Sequence, residues 1–511
     1  MTTISKDTLK IEDYKSILLR DQKISIDDYT MWNVEKCYQF LEEFSVNKII
    51  YGVNTGLGPM AQYRIESADQ VKLQYNLIRS HAAGSGKPLE PICVRAAMIS
   101  RLKSLSLGHS GIHTDAIQLL ATLLNHHIIP FIPEHGGVGA SGDLVQLAHL
   151  ALVLIGEGEV FYHDKQQNTA DVFATLGITP LKIRLREGLG LINGTSVMSG
   201  IGITNVIFAQ RAIEWTVYAS AMINELVESF DDHFSKVLNE VKKHQGQHRI
   251  AESMRAILND SQLIKKRDDL LFNGKIEEKI FKQKIQEYYS LRCVPQILGP
   301  IIDTLENTKN VLVNEVNSAN DNPIVDMETK TVYHGGNFHG DYVSFEMDKL
   351  KIAVTKLSML AERQLNFLMN NKINDILPPF VNLGTLGLNL GMQGTQFTAT
   401  STVAENQTLA NPMYVHSIPS NNDNQDIVSM GTNAALLAKK TIHNTFEVLA
   451  IEFLTIIQAI DYLKIEPKMS SKTKKLYHQL RELVPVFTED TPKYKELLLI
   501  RDFLFNNEPN S

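Results

Sequence analysis

Two long proline-free segments constrain this chain more than any other feature. Between Pro323 and Pro378, apolar residues recur at Val343, Met347, Leu350, Val354, Leu357, Ala361, Leu365 and Leu368. Between Pro419 and Pro467 they recur at Ile442, Phe446, Leu449, Phe453, Ile456, Ile460 and Leu463. Steps of three and four residues mark one face of a helix. An unbroken helix from Tyr342 to Asn370 would run for about 40 Å at a rise of 1.5 Å per residue. Helices of that length bury their seams by packing as a bundle, so a mainly α fold is expected for the C-terminal two-thirds. Ile352, Phe345 and Ile451 lie on other faces of the same segments. They predict cover from all sides, inside a large bundle or at an oligomer interface.

The first two hundred residues have a different texture. Glycine-bearing loops stand at Tyr51-Gly52-Val53-Asn54-Thr55-Gly56-Leu57-Gly58 and His135-Gly136-Gly137-Val138-Gly139. We therefore divide the chain into an N-terminal loop-bearing domain, 1–210, and a long-helix domain, 211–511. Gly137-Val138-Gly139-Ala140-Ser141-Gly142 also fits the G-x-G-x-x-G pattern of a dinucleotide-binding loop. The run before it, Ile128–Pro133, contains Pro130 and Pro133, which suit a central parallel strand badly. The remainder of the chain lacks alternating strands and helices, so a Rossmann reading is rejected.

Composition excludes several classes of function. Lys and Arg number 50 against 57 Asp and Glu, for a net charge of −7. That balance offers neither nucleic acid nor an anionic membrane the concentrated positive charge it needs. No window of about 18 uninterrupted apolar residues predicts a spanning helix. The three cysteines, Cys37, Cys93 and Cys293, are too far apart for a disulfide framework or a thiolate zinc site. With no apolar h-region in Met1–Asp7, a cytoplasmic protein is expected. His334 and His339 flank Gly335-Gly336-Asn337-Phe338 without acidic or cysteine neighbours, and no metal site is expected there.

Ala140-Ser141-Gly142 is chemically suited to backbone cyclisation. Attack of the Gly142 nitrogen on the Ala140 carbonyl closes a five-membered ring, and loss of water from the ring and from Ser141 leaves an exocyclic methylene. Glycine at 142 leaves the approach open, alanine at 140 is small, and serine supplies the hydroxyl that departs. The tripeptide alone means little; its company gives it weight.

Gly137–Leu144 resembles the prosthetic-group motif of the aromatic amino acid ammonia-lyases, the family of histidine, phenylalanine and tyrosine ammonia-lyases and related aminomutases. Four further segments resemble that family in order: Tyr51–Gly56, Asn193-Gly194-Thr195, Tyr289-Ser290-Leu291-Arg292-Cys293 and Gly335-Gly336-Asn337-Phe338-His339. The resemblance is strongest to bacterial tyrosine ammonia-lyases. It implies a bundle of the aspartase/fumarase-like type, a homotetramer with sites shared between subunits, and a 4-methylideneimidazole-5-one (MIO) group made from Ala140, Ser141 and Gly142 with no external cofactor.

The same resemblance implies roles. Tyr51 would be the base for the substrate β-proton; a phenol, protonated at neutral pH when left alone, needs neighbours that favour phenolate. Asn193 would donate to an oxyanion on the prosthetic ring. Arg292 would grip the substrate carboxylate as a bidentate fork, with Tyr289 on the same helix face polarising the reacting centre. Gln286 and Phe338 would support the pocket. His81 matches the ring-recognition position, where an imidazole suits a phenol or another imidazole. Asn424-Gln425-Asp426 stands where histidine-specific members carry Gln-Glu-Asp, so the neutral Gln425 favours tyrosine over histidine. L-tyrosine is the expected substrate and trans-4-coumarate the product; histidine ammonia-lyase and tyrosine 2,3-aminomutase are the alternatives. Leu57 and Gln146 depart from the residues commonest in the family at those positions.

Overall fold

In the computed structural model, residues 1–272, 279–281 and 284–509 are described. The chain is mainly helical, as the periodicity predicts. The elements that position the site are, in chain order, α1 (Gln70–His81), β1 (Ser85–Pro88), α2 (Pro91–Leu105), β2 (Ile129–Pro130), β3 (Pro133–His135), α3 (Leu144–Leu154), β4 (Glu159–Tyr162) and β5 (Lys165–Asn168). They continue with α4 (Glu187–Ile192), α5 (Ser196–Leu226), α6 (Tyr289–Arg292), α7 (Val294–Val316), α8 (Asp341–Met369) and α9 (Gly431–Leu463).

Both seams form the long helices expected of them. α8 buries all eight of its seam residues, and α9 buries every seam residue except Leu463, which is half-buried where the helix ends. Each fully buried Leu, Ile or Phe contributes on the order of 1.5–3 kcal/mol. Ile451 is buried as well, whereas Phe345 and Ile352 are about half exposed on the single chain. The burial predicted for those two faces is not supplied within one copy.

The chain divides into two compact units. The first comprises Met1–Ile207, Thr308–Asp348 and Pro412–Leu437; the second comprises Phe208–Asn307, Lys349–Asn411 and Ala438–Ser511. At the centre of the first lies α2, buried from Ala96 to Leu105 on every face. Two charged residues share that burial. Lys103 Nζ donates to the carbonyls of Ser5 at 2.7 Å and Asp7 at 2.9 Å, and Arg101 Nη2 donates to the carbonyl of Asn193 at 3.0 Å. Buried charges persist only with such partners.

The strands are short and make no Rossmann sheet. β2 pairs antiparallel with β4, β4 with β5, and β1 with β3. The glycine-rich loop therefore leaves an antiparallel strand end, away from any parallel crossover. In the second unit, Trp215 is buried against Phe453, with ring centroids 5.9 Å apart. Among the described residues, no helix is long and apolar enough to cross a membrane.

Candidate active site

Seven of the residues singled out from the sequence line one cavity of about 740 Å³ in the first unit: Tyr51, His81, Ser141, Asn193, Phe338, Asn424 and Gln425. They come from six separate stretches of chain, so each must be carried there by its own local structure.

The Ala140-Ser141-Gly142 segment is held by the start of α5. The carboxylate of Asp143 accepts the backbone N–H groups of Val197 at 2.8 Å and Met198 at 2.9 Å. An anion at a helix N-terminus is favoured by the orphan N–H donors and the dipole. The Thr432 hydroxyl donates to its other oxygen at 2.5 Å. Burial pushes the Asp143 carboxyl up to about 6, and these three donors oppose the shift. The Asp143 amide also donates to the Gly194 carbonyl at 2.8 Å. Two of the motifs seen in the sequence thus meet at Asp143, through its backbone amide.

The contact is closest at glycine. Gly142 has a left-handed φ of 70°, and a Cβ there would overlap the Gly194 carbonyl oxygen. Gly139, with φ of 76°, is packed equally tightly against the Ser429 hydroxyl. Ala140 is buried, with only 4% of its surface exposed. Asn193 Nδ2 donates to the Ser141 carbonyl oxygen at 3.1 Å, and Gln425 Nε2 donates to the Ser141 hydroxyl at 2.9 Å. Asn193 Oδ1 is buried without a partner. A tight bend around small residues, donors on the Ser141 carbonyl and hydroxyl, and an orphan polar atom beside them fit a segment able to form the cyclic prosthetic group.

Tyr51 opens a loop that folds back on itself. The Gly58 N–H donates to the Tyr51 phenol oxygen at 2.9 Å. The Tyr51 N–H donates to Nε2 of His334 at 3.3 Å. Burial, with Arg186 nearby, holds the His334 imidazole below its usual range and so keeps it an acceptor. Gln74 ties the loop to α4, donating to the Gly52 carbonyl at 3.0 Å and accepting from the Leu189 amide at 3.0 Å.

His81 ends α1. Its Nδ1 lies 3.0 Å from the Leu77 carbonyl oxygen. The Leu77 carbonyl pairs with Nδ1 in its protonated tautomer, and the Ser80 hydroxyl, 3.1 Å from the same nitrogen, pairs with it in the other. Opposite in sequence, Ser420 and Gln425 close a tight loop through paired backbone bonds of 3.1 and 3.2 Å. Asn421, Asn422 and Asp423 all adopt positive φ there, which their short polar side chains tolerate.

Gln286, Tyr289 and Arg292 belong to the second unit and are not among the residues lining this cavity. They form a cluster of their own. Arg292 Nη1 donates to the Gln286 side-chain oxygen, and its guanidinium lies 4.8 Å from the Tyr289 ring centroid. Tyr289 is 70% exposed. His339 is occupied by Asp341 at 3.4 Å, and no group of three His, Cys, Asp or Glu side chains among the described residues is disposed to hold a metal.

Leu57 and Gln146, the two departures, are both placed. Leu57 lines the cavity, and Gln146 is buried beneath Gly137, donating to the Glu134 carbonyl at 3.2 Å. Sequence reasoning missed the Asp143 carboxylate, the Gly58 amide, and Asn322 and Asn421 on the cavity wall. Asp143 carried a legible signal, being an acid fixed directly after the small tripeptide; the asparagines carried none.

Comparison with known proteins bears on the family and the fold. Residues 9–482 match the family described as aromatic amino acid lyase. A histidine ammonia-lyase of Geobacillus sp. (strain WCH70) is 38% identical over 491 residues, covering 96% of this chain and 94% of that protein. An MIO-dependent tyrosine 2,3-aminomutase of Streptomyces globisporus is 37% identical over 517 residues, covering 99% and 95%. The crystal structure of the tyrosine aminomutase from that organism superposes with a TM-score of 0.94 at 36% identity, covering 99% of this chain and 96% of the other.

Proposed function

The chain belongs to the aromatic amino acid lyase family, and from that premise we propose that it is a tyrosine ammonia-lyase, converting L-tyrosine to trans-4-coumarate and ammonia. The observation that carries the substrate is His81. With Nδ1 donating to the Leu77 carbonyl, its Nε2 would accept the O–H of a phenol. A phenylalanine ring would leave that acceptor unpaired, which costs discrimination of orders of magnitude in a closed pocket. Gln425, a neutral amide, offers no charge to an imidazolium.

MIO, once formed from Ala140, Ser141 and Gly142, supplies the electrophile that activates the substrate. The chain's own groups do the rest. Tyr51 takes the β-proton at its phenol oxygen, which the Gly58 N–H already supports. Asn193 Nδ2 holds the Ser141 carbonyl oxygen, the atom on which negative charge would collect. Phe338 lines the cavity wall beside the Gly- and Asn-bearing loop around Tyr51.

The substrate carboxylate is held by Arg292, with Tyr289 and Gln286, contributed by a neighbouring copy in a homotetramer. Exposed apolar side chains such as Phe397 (66%) and Leu388 (75%), together with Ile352, supply surface for that assembly. A cytoplasmic location suits the absence of any disulfide among Cys37, Cys93 and Cys293.

Purified protein given tyrosine, phenylalanine and histidine separately tests the reading by ultraviolet absorption of the three conjugated acids. Coumarate is expected to form fastest. Urocanate forming faster would replace the reading with a histidine ammonia-lyase. The 37% identity to a tyrosine 2,3-aminomutase favours one second reading, and β-tyrosine as the main product would establish it. Mixing a Tyr51→Phe chain with an Arg292→Ala chain tests the shared site: recovered activity requires residues from two copies.

A further inference from the structure

We propose that Arg101 is a positioning residue for prosthetic-group formation, holding the Ala140-Ser141-Gly142 segment in its cyclising shape through Asn193 and Gly194. This rests on the function proposed above. Arg101 lies in the middle of α2 with no exposed surface. Its Nη2 donates to the carbonyls of Gly190 and, at 3.0 Å, Asn193. These belong to the last turn of α4 and the residue that ends it, where carbonyls lack helical donors and the dipole is negative. Nη1 donates to Asn320 Oδ1 at 3.4 Å. Asn320 is braced in turn, accepting from Ser104 at 3.0 Å and donating to Thr195 at 2.9 Å, whose hydroxyl donates to Glu315.

The guanidinium also determines what fits in front of it. A Cβ on Gly194 would overlap Arg101 Nη1 and lie 2.7 Å from Asn320 Oδ1. The Gly194 carbonyl occupies the space of a Cβ on Gly142. Arg101, Gly194 and Gly142 are therefore stacked in contact, with Gly142 as the residue whose nitrogen must move. From the same anchor, Asn193 extends its amide to the Ser141 carbonyl. Burial lowers the Arg101 guanidinium to about 10, which leaves it charged at neutral pH.

The fork satisfies buried carbonyls and so contributes to stability as well, which is why the test below reads maturation and melting separately. The fork is also a rigid backstop. Closure forms the bond from Gly142 N to the Ala140 carbonyl carbon. The Ala140 oxygen leaves as water with the protons of Gly142 N and Ser141 N. The Ser141 hydroxyl and Cα proton leave as the second water, and no oxidant is needed. Without the fork, the Gly190 and Asn193 carbonyls lose their donor, and the Ser141 carbonyl loses its fixed partner.

The test follows the intact mass of the full chain at timed intervals after synthesis, alongside circular dichroism and thermal melting. Wild type is expected to become two waters lighter. Arg101→Lys keeps the charge but cannot fork. It is expected to fold and to mature about a hundredfold more slowly, the penalty for misplacing reacting groups by about an ångström. Its matured fraction should show lower kcat at unchanged KM. Asn320→Ala keeps the guanidinium and removes the acceptor of Nη1; slowed maturation in this folded variant supports the proposal even if the lysine variant fails to fold. Both variants maturing at the wild-type rate would overturn it, as would wild-type maturation of Asn320→Ala beside an unfolded lysine variant. A wild type at full encoded mass would instead overturn the proposed function and this inference with it.

Discussion

The carbonyl oxygen of Gly194 occupies the space that a side chain at Gly142 would need. The two residues are also joined as a parallel bridge, and the amide of Asp143 donates to that same oxygen. On the function proposed above, three consecutive small residues would become a chemical device because a second glycine, Gly194, closes over them.

Gly142→Ala should therefore stop prosthetic-group formation. The φ of 70° alone costs about 1 kcal/mol for alanine, and the overlap with Gly194 adds to it. The expected result is a folded chain with a lowered melting temperature, at its full encoded mass and with turnover reduced by about a thousandfold or more. Intact-mass measurement checks this directly; a fully dehydrated alanine variant would refute it.

Asn193→Ala removes the donor on the Ser141 carbonyl. Loss of one such preorganised donor lowers kcat by about 10²–10³. KM should change little, because the carboxylate grip lies elsewhere. Steady-state kinetics on matured protein separates the two parameters.

His81→Phe exchanges the Nε2 acceptor for an apolar edge. Tyrosine turnover should fall and phenylalanine turnover rise, moving the ratio of kcat/KM values by about 10²–10⁴ toward phenylalanine. An unchanged ratio would show that the phenol is recognised by another group.

Gln425→Glu replaces the amide that donates to the Ser141 hydroxyl with a carboxylate. In matured protein the Ser141 hydroxyl has left as water, so the exchange reads on substrate alone. The carboxylate should lower tyrosine kcat/KM by about tenfold, roughly the worth of one polar contact, and raise that for histidine. Equal rates for the two proteins would remove Gln425 from the specificity argument.

Glu452, in α9, is fully buried with neither carboxylate oxygen partnered. Burial raises its carboxyl well above the ordinary value. The folded chain thus keeps a proton that the unfolded chain releases above a pH of about 4, and stability declines as pH rises from there toward the raised folded value. Glu452→Met should melt higher than wild type at pH 8 and show a smaller gain at pH 5. Parallel pH profiles for the two proteins would contradict the assignment.

The order of these dependencies explains what was legible from the residues alone. The seams from Val343 to Leu368 and from Ile442 to Ile460 declare their helices because three- and four-residue spacing is a local property. The cyclisation proposed for Ala140-Ser141-Gly142 could be read from the sequence because it involves only adjacent atoms. Tertiary structure alone decided that Tyr51, His81, Ser141, Asn193 and Gln425 face one cavity while Gln286, Tyr289 and Arg292 cluster in another unit. It alone decided that Gly194 and Arg101 stand behind Gly142, and that Phe345 and Ile352 remain open on a single chain. Periodicity says which face of an element is apolar; which distant element meets that face depends on long-range packing that no local spacing encodes.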